Sequence, residues 1–201
     1  MKNKISYIIL SLMLACSTTA FAQHQMFYSF QYSPAISTGA LNDYIGEMSW
    51  GGVGFDYRGF TTPNFAYGVS FDWNVFYEHQ PYGTYTENTL TISGEQYRYV
   101  NTFPMLIAAD YFTGERGDDT RYFGGLGIGT MYATKSTQMG VYELYSDGWF
   151  FTLAPEVGTH VNIGRGTDML IAAKYRYGFA NKNFEALSYF ALQVGFVFQG
   201  R

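Results

Sequence analysis

A single cysteine, Cys16, occurs in the 201-residue chain. It lies in an N-terminal stretch with the marks of an export signal, so the remainder can form no disulfide and do no thiolate chemistry. Charge is also scarce: Asp, Glu, Lys and Arg make up 14% of the residues, against roughly 25% in soluble domains. Beyond the signal, no window approaches the roughly 20 apolar residues that a membrane-spanning helix needs. No low-complexity segment or domain linker interrupts the chain, and its length suits one domain. Only three histidines are present, which leaves little for metal or acid–base chemistry. Aromatics, by contrast, reach 20%.

Residues 1–22 read as the signal. Lys2 and Lys4 supply the positive region, Ile5 to Ala15 the short apolar run, and Ala20-Phe21-Ala22 the small-x-small cleavage site. Cleavage is expected between Ala22 and Gln23, leaving residues 23–201 as the mature domain. Met13-Leu14-Ala15-Cys16 is a weaker alternative, a poor version of the lipoprotein pattern that would place the acylated Cys16 at the mature N-terminus. Removing residues 1–22 takes Lys plus Arg from 12 to 10 while Asp plus Glu stays at 16, a net charge of −6. That sign argues against nucleic acid as a partner.

The strongest pattern runs from Ala66 to Tyr77. Tyr67, Val69, Phe71, Trp73, Val75 and Tyr77 share one face, and Ala66, Gly68, Ser70, Asp72, Asn74 and Phe76 the other. A period of two defines a β-strand, since successive side chains point to opposite sides of the pleat. The apolar row begins and ends in tyrosine ten residues apart. At about 3.3 Å per residue and a tilt of about 40° this projects onto roughly 25 Å, the height of a barrel's lipid-facing band between its aromatic girdles. Tyr122 and Tyr132 repeat the spacing.

The same alternation predicts eight strands, at about 26–36, 48–60, 66–77, 96–112, 121–134, 149–163, 169–179 and 187–198. The connections 61–64, 113–120 and 164–168 are short and rich in turn formers, whereas 37–47, 78–95 and 135–148 are longer; within 78–95, Thr84-Tyr85-Thr86 and Thr89-Leu90-Thr91-Ile92 are also compatible with a hairpin that prolongs the flanking strands about Glu87-Asn88. Outer-membrane barrels show this asymmetry between periplasmic turns and extracellular loops. The connection 180–186 is short and departs from it. Pro34, Pro104 and Pro155 fall inside proposed strands, where each removes a ladder donor and is expected to mark either a bulge or a strand boundary a few residues away. The fold class is therefore all-β: an eight-stranded antiparallel up-and-down transmembrane β-barrel. A closed ring is required, because lipid offers no partner to an open strand edge.

The non-aromatic face carries small residues (Gly52, Gly54, Ala66, Gly68, Ser70, Ala108, Gly125, Gly127, Gly129, Gly158) rather than solvated Lys and Glu. This assigns it to the interior, which in an eight-stranded barrel is just wide enough for side chains to fill. Asp56, Asp72, Asp110 and Glu156 are balanced there by Arg58, Arg98, Lys174 and Arg176, because buried charges persist only when paired. Folding strand six onto strand seven about 164–168 predicts Lys174 and Arg176 as the partners of Glu156. A polar core of this kind is expected to conduct nothing beyond small leaks.

With the signal, the aromatic-girdled alternation, Pro155-Glu156-Val157-Gly158 in strand six and the aromatic last strand, residues 26–198 resemble the small eight-stranded outer-membrane β-barrel family, the OmpA/OmpX-like transmembrane domain. The resemblance implies an outer-membrane location in a Gram-negative bacterium, outer-membrane lipid as surroundings and insertion by the barrel assembly machinery. That family's last strand ends at a terminal aromatic; here Phe198 is followed by Gln199-Gly200-Arg201. No periplasmic peptidoglycan-binding domain follows, so that role does not carry over. A monomer without cofactor is expected.

No catalytic residue or metal ligand is assigned. His24 adjoins the cleavage site, His79 sits where strand three meets its loop, and His160 lies inward on strand six, expected to hydrogen-bond a neighbour such as Asn162. No spacing assembles a nucleophile, base and orienting carboxylate. Gly124-Gly125-Leu126-Gly127-Ile128-Gly129 sits mid-strand with no following helix, which excludes a phosphate loop. Function is therefore expected to be structural and surface-presenting rather than catalytic. Alternatives are adhesion or host contact, with a surface protein pairing to the 78–95 loop by β-augmentation, or an outer-membrane lipid-modifying enzyme that would join His79 to a serine and a carboxylate. A lipocalin-like barrel with an apolar cavity is a third reading.

Overall fold

In the computed structural model, residues 25–87, 90–115, 117–164, 166–181 and 184–200 are described. The signal, Cys16, the cleavage pair Ala22 and Gln23, and His24 lie outside them. The described chain forms β1 (Met26–Tyr32), β2 (Ala35–Thr38), a short helix α1 (Ala40–Tyr44), β3 (Gly51–Phe60), β4 (Phe65–Glu87), β5 (Leu90–Phe112), β6 (Thr120–Met139), β7 (Tyr142–Gly164), β8 (Thr167–Gly178) and β9 (Leu187–Gln199). Each strand from β3 onward pairs antiparallel with the next, and β1 pairs with both β3 and β9, closing the ring.

β1 and β2 are one barrel strand in two pieces. Tyr32↔Val194 and Ala35↔Ala191 keep the same register against β9. The break falls at Ser33-Pro34, where proline has no N–H to give, yet the Pro34 carbonyl still accepts from Leu192 N at 3.0 Å. The ring thus has eight staves. Pro104 and Pro155 act similarly and correct the expectation of bulges. Pairing lapses between Phe71↔Met105 and Asn74↔Thr102, and between Leu153↔Tyr177 and Glu156↔Lys174, without a change of register. True register shifts fall instead between Gln80 and Gly83, around Pro81, and between Asn162 and Gly164.

The outer wall is the predicted apolar face. Phe30, Tyr67, Phe71, Trp73, Ile107, Tyr122, Ile128, Phe151, Val157 and Phe196 are all exposed. Aromatic pairs run across it, with Trp73 stacked on Phe103 at 5.9 Å and Tyr28 on Phe198 at 5.4 Å. In water such a surface would be an extreme apolar patch; against hydrocarbon it is the expected one.

Two of the longer connections are mostly strand, the first in the hairpin form read for 84–92 and the second against expectation. Residues 78–87, 90–95, 135–139 and 142–148 are strand: β4 and β5 stay paired up to Glu87↔Leu90, and β6 and β7 up to Met139↔Tyr142. Apart from Thr137 and Met139, which are buried, these extensions largely meet water on both faces, so the apolar alternation used to find strands is weak there. Cross-strand hydroxyl pairs stand in for it, Thr84 with Ser93 at 2.8 Å and Thr86 with Thr91 at 3.0 Å. β4, β5 and β7 reach 23 residues and β6 reaches 20, whereas β3 has 10 and β8 has 12. About 9–11 residues cross a membrane, so four staves rise past the band at the end opposite the short turns.

Candidate functional site

The lumen is filled in three layers. At the short-turn end, Phe27, Phe112, Phe123, Leu170 and Val197 form an apolar layer. His160 stands edge-on among Phe27, Phe112 and Phe123, with centroids 5.1–5.3 Å apart. Aromatic packing therefore holds the imidazole, in place of the expected bond to Asn162. The Asn162 Oδ1 instead accepts from Gly164 N at 2.8 Å.

The middle layer is ionic. Arg58 spans it: Nε donates to Asp110 Oδ2 at 2.8 Å, and Nη2 lies 3.3 Å from Glu156 Oε1 and 3.4 Å from Asp56 Oδ1. The Lys174 Nζ lies 2.9 Å from Glu156 Oε2 and 3.7 Å from Asp56. The Arg176 Nη2 meets Asp72 Oδ2 at 2.6 Å, and its guanidinium faces the Tyr189 ring. Neutral groups complete the set, with Gln31 donating to Asp56 Oδ2 at 2.7 Å and Gln193 to Asp72 Oδ1 at 2.9 Å. All seven charged residues are less than 7% exposed.

Of the eight charges assigned to the interior, the structure thus brings seven together. Glu156 meets Lys174 but not Arg176, which pairs with Asp72; its second cation is Arg58. Arg98 stands apart from all four carboxylates, and this corrects its place in the network. Its side chain does face inward, but higher up: Nε donates to Gln96 Oε1 at 2.8 Å and Nη1 to the Tyr44 carbonyl at 2.9 Å.

Arg98 serves the third layer, which sequence reasoning did not find. Helix α1 folds into the barrel mouth. Leu41 and Ile45, 5% and 0% exposed, pack with Phe76, Val100, Met131, Phe150 and Tyr189. Leu41, Tyr44 and Ile45 have the i, i+3, i+4 spacing of an amphipathic helix, a signal that five residues are too few to display. Ser37 Oγ donates to the Ile45 carbonyl at 2.6 Å, and Gly46 N to Glu78 at 2.5 Å, pinning both ends of the segment. The Tyr44 hydroxyl is bonded to Thr137, and its ring centroid is 3.6 Å from Lys135 Nζ and 5.0 Å from the Arg98 guanidinium. Beside α1 a cavity of about 250 Å³ opens at the mouth, and a second of about 300 Å³ opens at the short-turn end.

The remaining candidates are dispersed. His79 stacks on Tyr97 at 4.8 Å, with Nε2 3.6 Å from Glu95. Among the described residues no group of three His, Cys, Asp or Glu could hold a metal ion. The glycine run follows β6 with Gly125 and Gly127 turned inward. A Cβ on Gly125 would collide with the Asp110 carboxylate, and one on Gly127 would sit 3.0 Å from Leu106 Cδ1. Clearance for the ionic layer accounts for it.

A closed antiparallel ring with an apolar exterior and a packed, partly ionic interior defines the outer-membrane β-barrel class. Solved barrels of that class share the fold. Neisserial surface protein A has a TM-score of 0.52 at 11% identity, over 87% of this chain and 96% of that one. The outer membrane protein OprG from Pseudomonas aeruginosa also has a TM-score of 0.52, at 10% identity, over 89% and 96%. The outer membrane protease OmpT from Escherichia coli gives 0.47 at 8% identity, over 90% and 98%. No protein-family model and no curated protein matches the chain.

Proposed function

We propose that this protein is a non-conducting outer-membrane scaffold that presents a tall extracellular β-sheet to protein partners. The observation that carries the reading is the contrast between a filled lumen and staves far longer than a membrane requires. An ion entering the lumen would have to shed water against two apolar layers and displace a set of paired charges, each of which is costly. The extended strands, by contrast, are open to water over most of their upper reach. β3 pairs with β4 no higher than Gly51↔Val75, so from Tyr77 upward β4 carries a sheet edge that β3 does not cover. Such an edge can accept an added strand, with backbone bonds giving affinity and alternate side chains giving choice. Tyr82, 76% exposed, and the threonine rows present hydroxyl and aromatic groups there. Pro81 and the adjacent register shift interrupt the edge, a device that limits pairing between identical chains.

The test is deletion of residues 83–93, which leaves Gln80↔Gln96 as the top rung. The shortened barrel should still shift in gel mobility on boiling and should stay silent in planar bilayers, while cell-surface binding of protein partners is lost. Unchanged binding by the shortened barrel, or steady currents through the intact one, would overturn the reading.

A further inference from the structure

We infer that the outer wall carries a binding site for a single lipid acyl chain, a trough along the top of β3 in the extracellular half of the apolar band. This goes beyond the scaffold reading and does not depend on it. Across the wall, Tyr32 of β1 stands level with Val53 of β3, and Val53 with Trp73 of β4. Two residues higher, the outward position of β3 is Gly51, opposite Val75. Gly51, Val53 and Val75 thus make a low floor flanked by Tyr32 and Trp73, with Trp50 at its upper end. The trough encloses about 250 Å³, and its lining is almost wholly apolar. Neighbouring strands lie about 4.8 Å apart, so its two walls, two strands apart, rise roughly 9.6 Å from each other at the backbone. That admits one hydrocarbon chain in van der Waals contact, about 3.5–4.0 Å, with each wall.

The trough exists before any chain enters it. The Trp73 ring is stacked on Phe103, and its indole N–H donates to Asn101 Oδ1 at 3.4 Å. The Tyr32 hydroxyl donates to the Trp50 carbonyl at 2.6 Å, and Ser33 N to the Gly52 carbonyl at 2.9 Å, which ties the floor to β1. Fixed walls keep the ordering cost of binding low. What covers the trough follows from its surroundings. It is continuous with the wall that meets hydrocarbon, and Val75 lies two residues below the girdle tyrosine Tyr77. At that depth the part of a lipid that reaches the wall is its chain. Such a chain gains nothing from the hydrophobic effect, since it leaves one apolar medium for another. Dispersion contact alone sets the trough apart: a chain lying in it touches the floor and both walls, and an unfilled trough forfeits those contacts. Trp50, 67% exposed at the upper end, has the amphipathic ring that belongs at headgroup level and marks where the chain would join its headgroup.

The test is a fluorescence titration of the folded barrel in detergent micelles with phosphatidylcholine brominated along its acyl chains. Trp149→Phe provides the background, leaving Trp50 and Trp73 of the chain's three tryptophans. Their emission should be quenched to saturation at one lipid per barrel. Phosphatidylglycerol with the same chains should quench equally, because the chain rather than the headgroup is bound. Gly51→Phe fills the trough and should raise the lipid share needed for half-quenching about tenfold, the worth of about ten lost carbon contacts. A Cβ at Gly51 meets Val75 Cβ at 3.6 Å, an ordinary contact, so the filled barrel should keep its heat-dependent gel shift; Gly51→Leu is a smaller filler with the same expected loss. Gly124→Phe adds the same ring to an outward glycine on another strand and should leave the quenching as it was. Unchanged quenching in both Gly51 variants, an equal loss in Gly124→Phe, absence of saturation, or quenching with one headgroup alone would each overturn the assignment.

Discussion

Glu156 and Lys174 face each other directly across the β7–β8 ladder, with the lysine Nζ 2.9 Å from the glutamate Oε2 and both residues almost sealed from water. Breaking a buried pair on one side leaves an uncompensated charge, at a cost of about 3–5 kcal/mol. Glu156→Gln leaves Lys174 with Asp56 at 3.7 Å as its carboxylate and the Ser70 hydroxyl at 3.3 Å, and should lower the urea midpoint of the folded barrel accordingly. The double variant Glu156→Gln/Lys174→Met removes both charges and should regain part of the loss. Additive losses in the double variant would show that the two side chains are not coupled.

Gly125 lies on β6 between Asp110 and Glu156, level with both in the ladders on either side. A Cβ there would strike the Asp110 carboxylate and come within 2.9 Å of the Ala109 carbonyl oxygen. Gly125→Val should therefore cost about 1–3 kcal/mol as overpacking, and more if Asp110 is pushed off Arg58. Gly124 faces outward, and the nearest atom to its Cβ would be 3.9 Å away. Gly124→Ala should fold and resist the unheated gel as the parent does. Comparing the urea midpoints of the two variants checks the clearance argument, since both alter the same strand one residue apart.

Ile128, 44% exposed between the girdle tyrosines Tyr122 and Tyr132, sits near the middle of the apolar band. Ile128→Arg should destabilise the barrel by about 2–4 kcal/mol, the cost of a cation on the lipid face at the midplane. Val141, 95% exposed in the β6–β7 turn, should accept lysine with no measurable change. Refolding yield into vesicles, read by gel mobility, separates the two. An unaffected Ile128→Arg would mean that this face does not meet hydrocarbon.

Lipid is what made most of the fold legible. Wherever the wall crosses the apolar band, one face must be uniformly apolar, so Tyr67 to Tyr77 and Tyr122 to Tyr132 announce both the strands and their inward partners. Above the band that constraint lapses. Residues 78–87 and 135–139 continue as strand through threonine, tyrosine and hydroxyl pairing, so the sequence offers only a threonine-rich hairpin reading over 84–92 and none over 135–139. Inside the lumen the difficulty is the opposite. Phe27, Phe112, Phe123 and Phe150 point inward on strands whose alternating apolar face is the outer one, so the sequence does not display the two apolar layers that sandwich the charges. Arg98 has the inward parity expected of it, but parity gives no height along the barrel. Only the position of α1, in the connection after β2, shows that its partner is Tyr44 rather than a carboxylate.

The layered lumen leads to a prediction about current. Leu41 and Ile45 seal the upper layer; Phe112 is central to the lower one, touching Phe27, Phe60 and Phe123 at 5.2–6.0 Å. Barriers in series are dominated by whichever remains highest, and each layer imposes its own dehydration cost on a passing ion. Opening one layer alone should accomplish nothing. Leu41→Asp should free the mouth and Phe112→Ala should loosen the base, yet both single variants should stay silent in planar bilayers, because the other apolar layer is intact. Together they admit water to both sides of the ionic layer, where Arg58, Lys174 and their carboxylates can then hydrate and exchange partners. Small discrete currents should appear only in the double variant, and adding Lys174→Met should change their preference between cations and anions. Current in either single variant equal to that of the pair would mean that one layer alone is the seal.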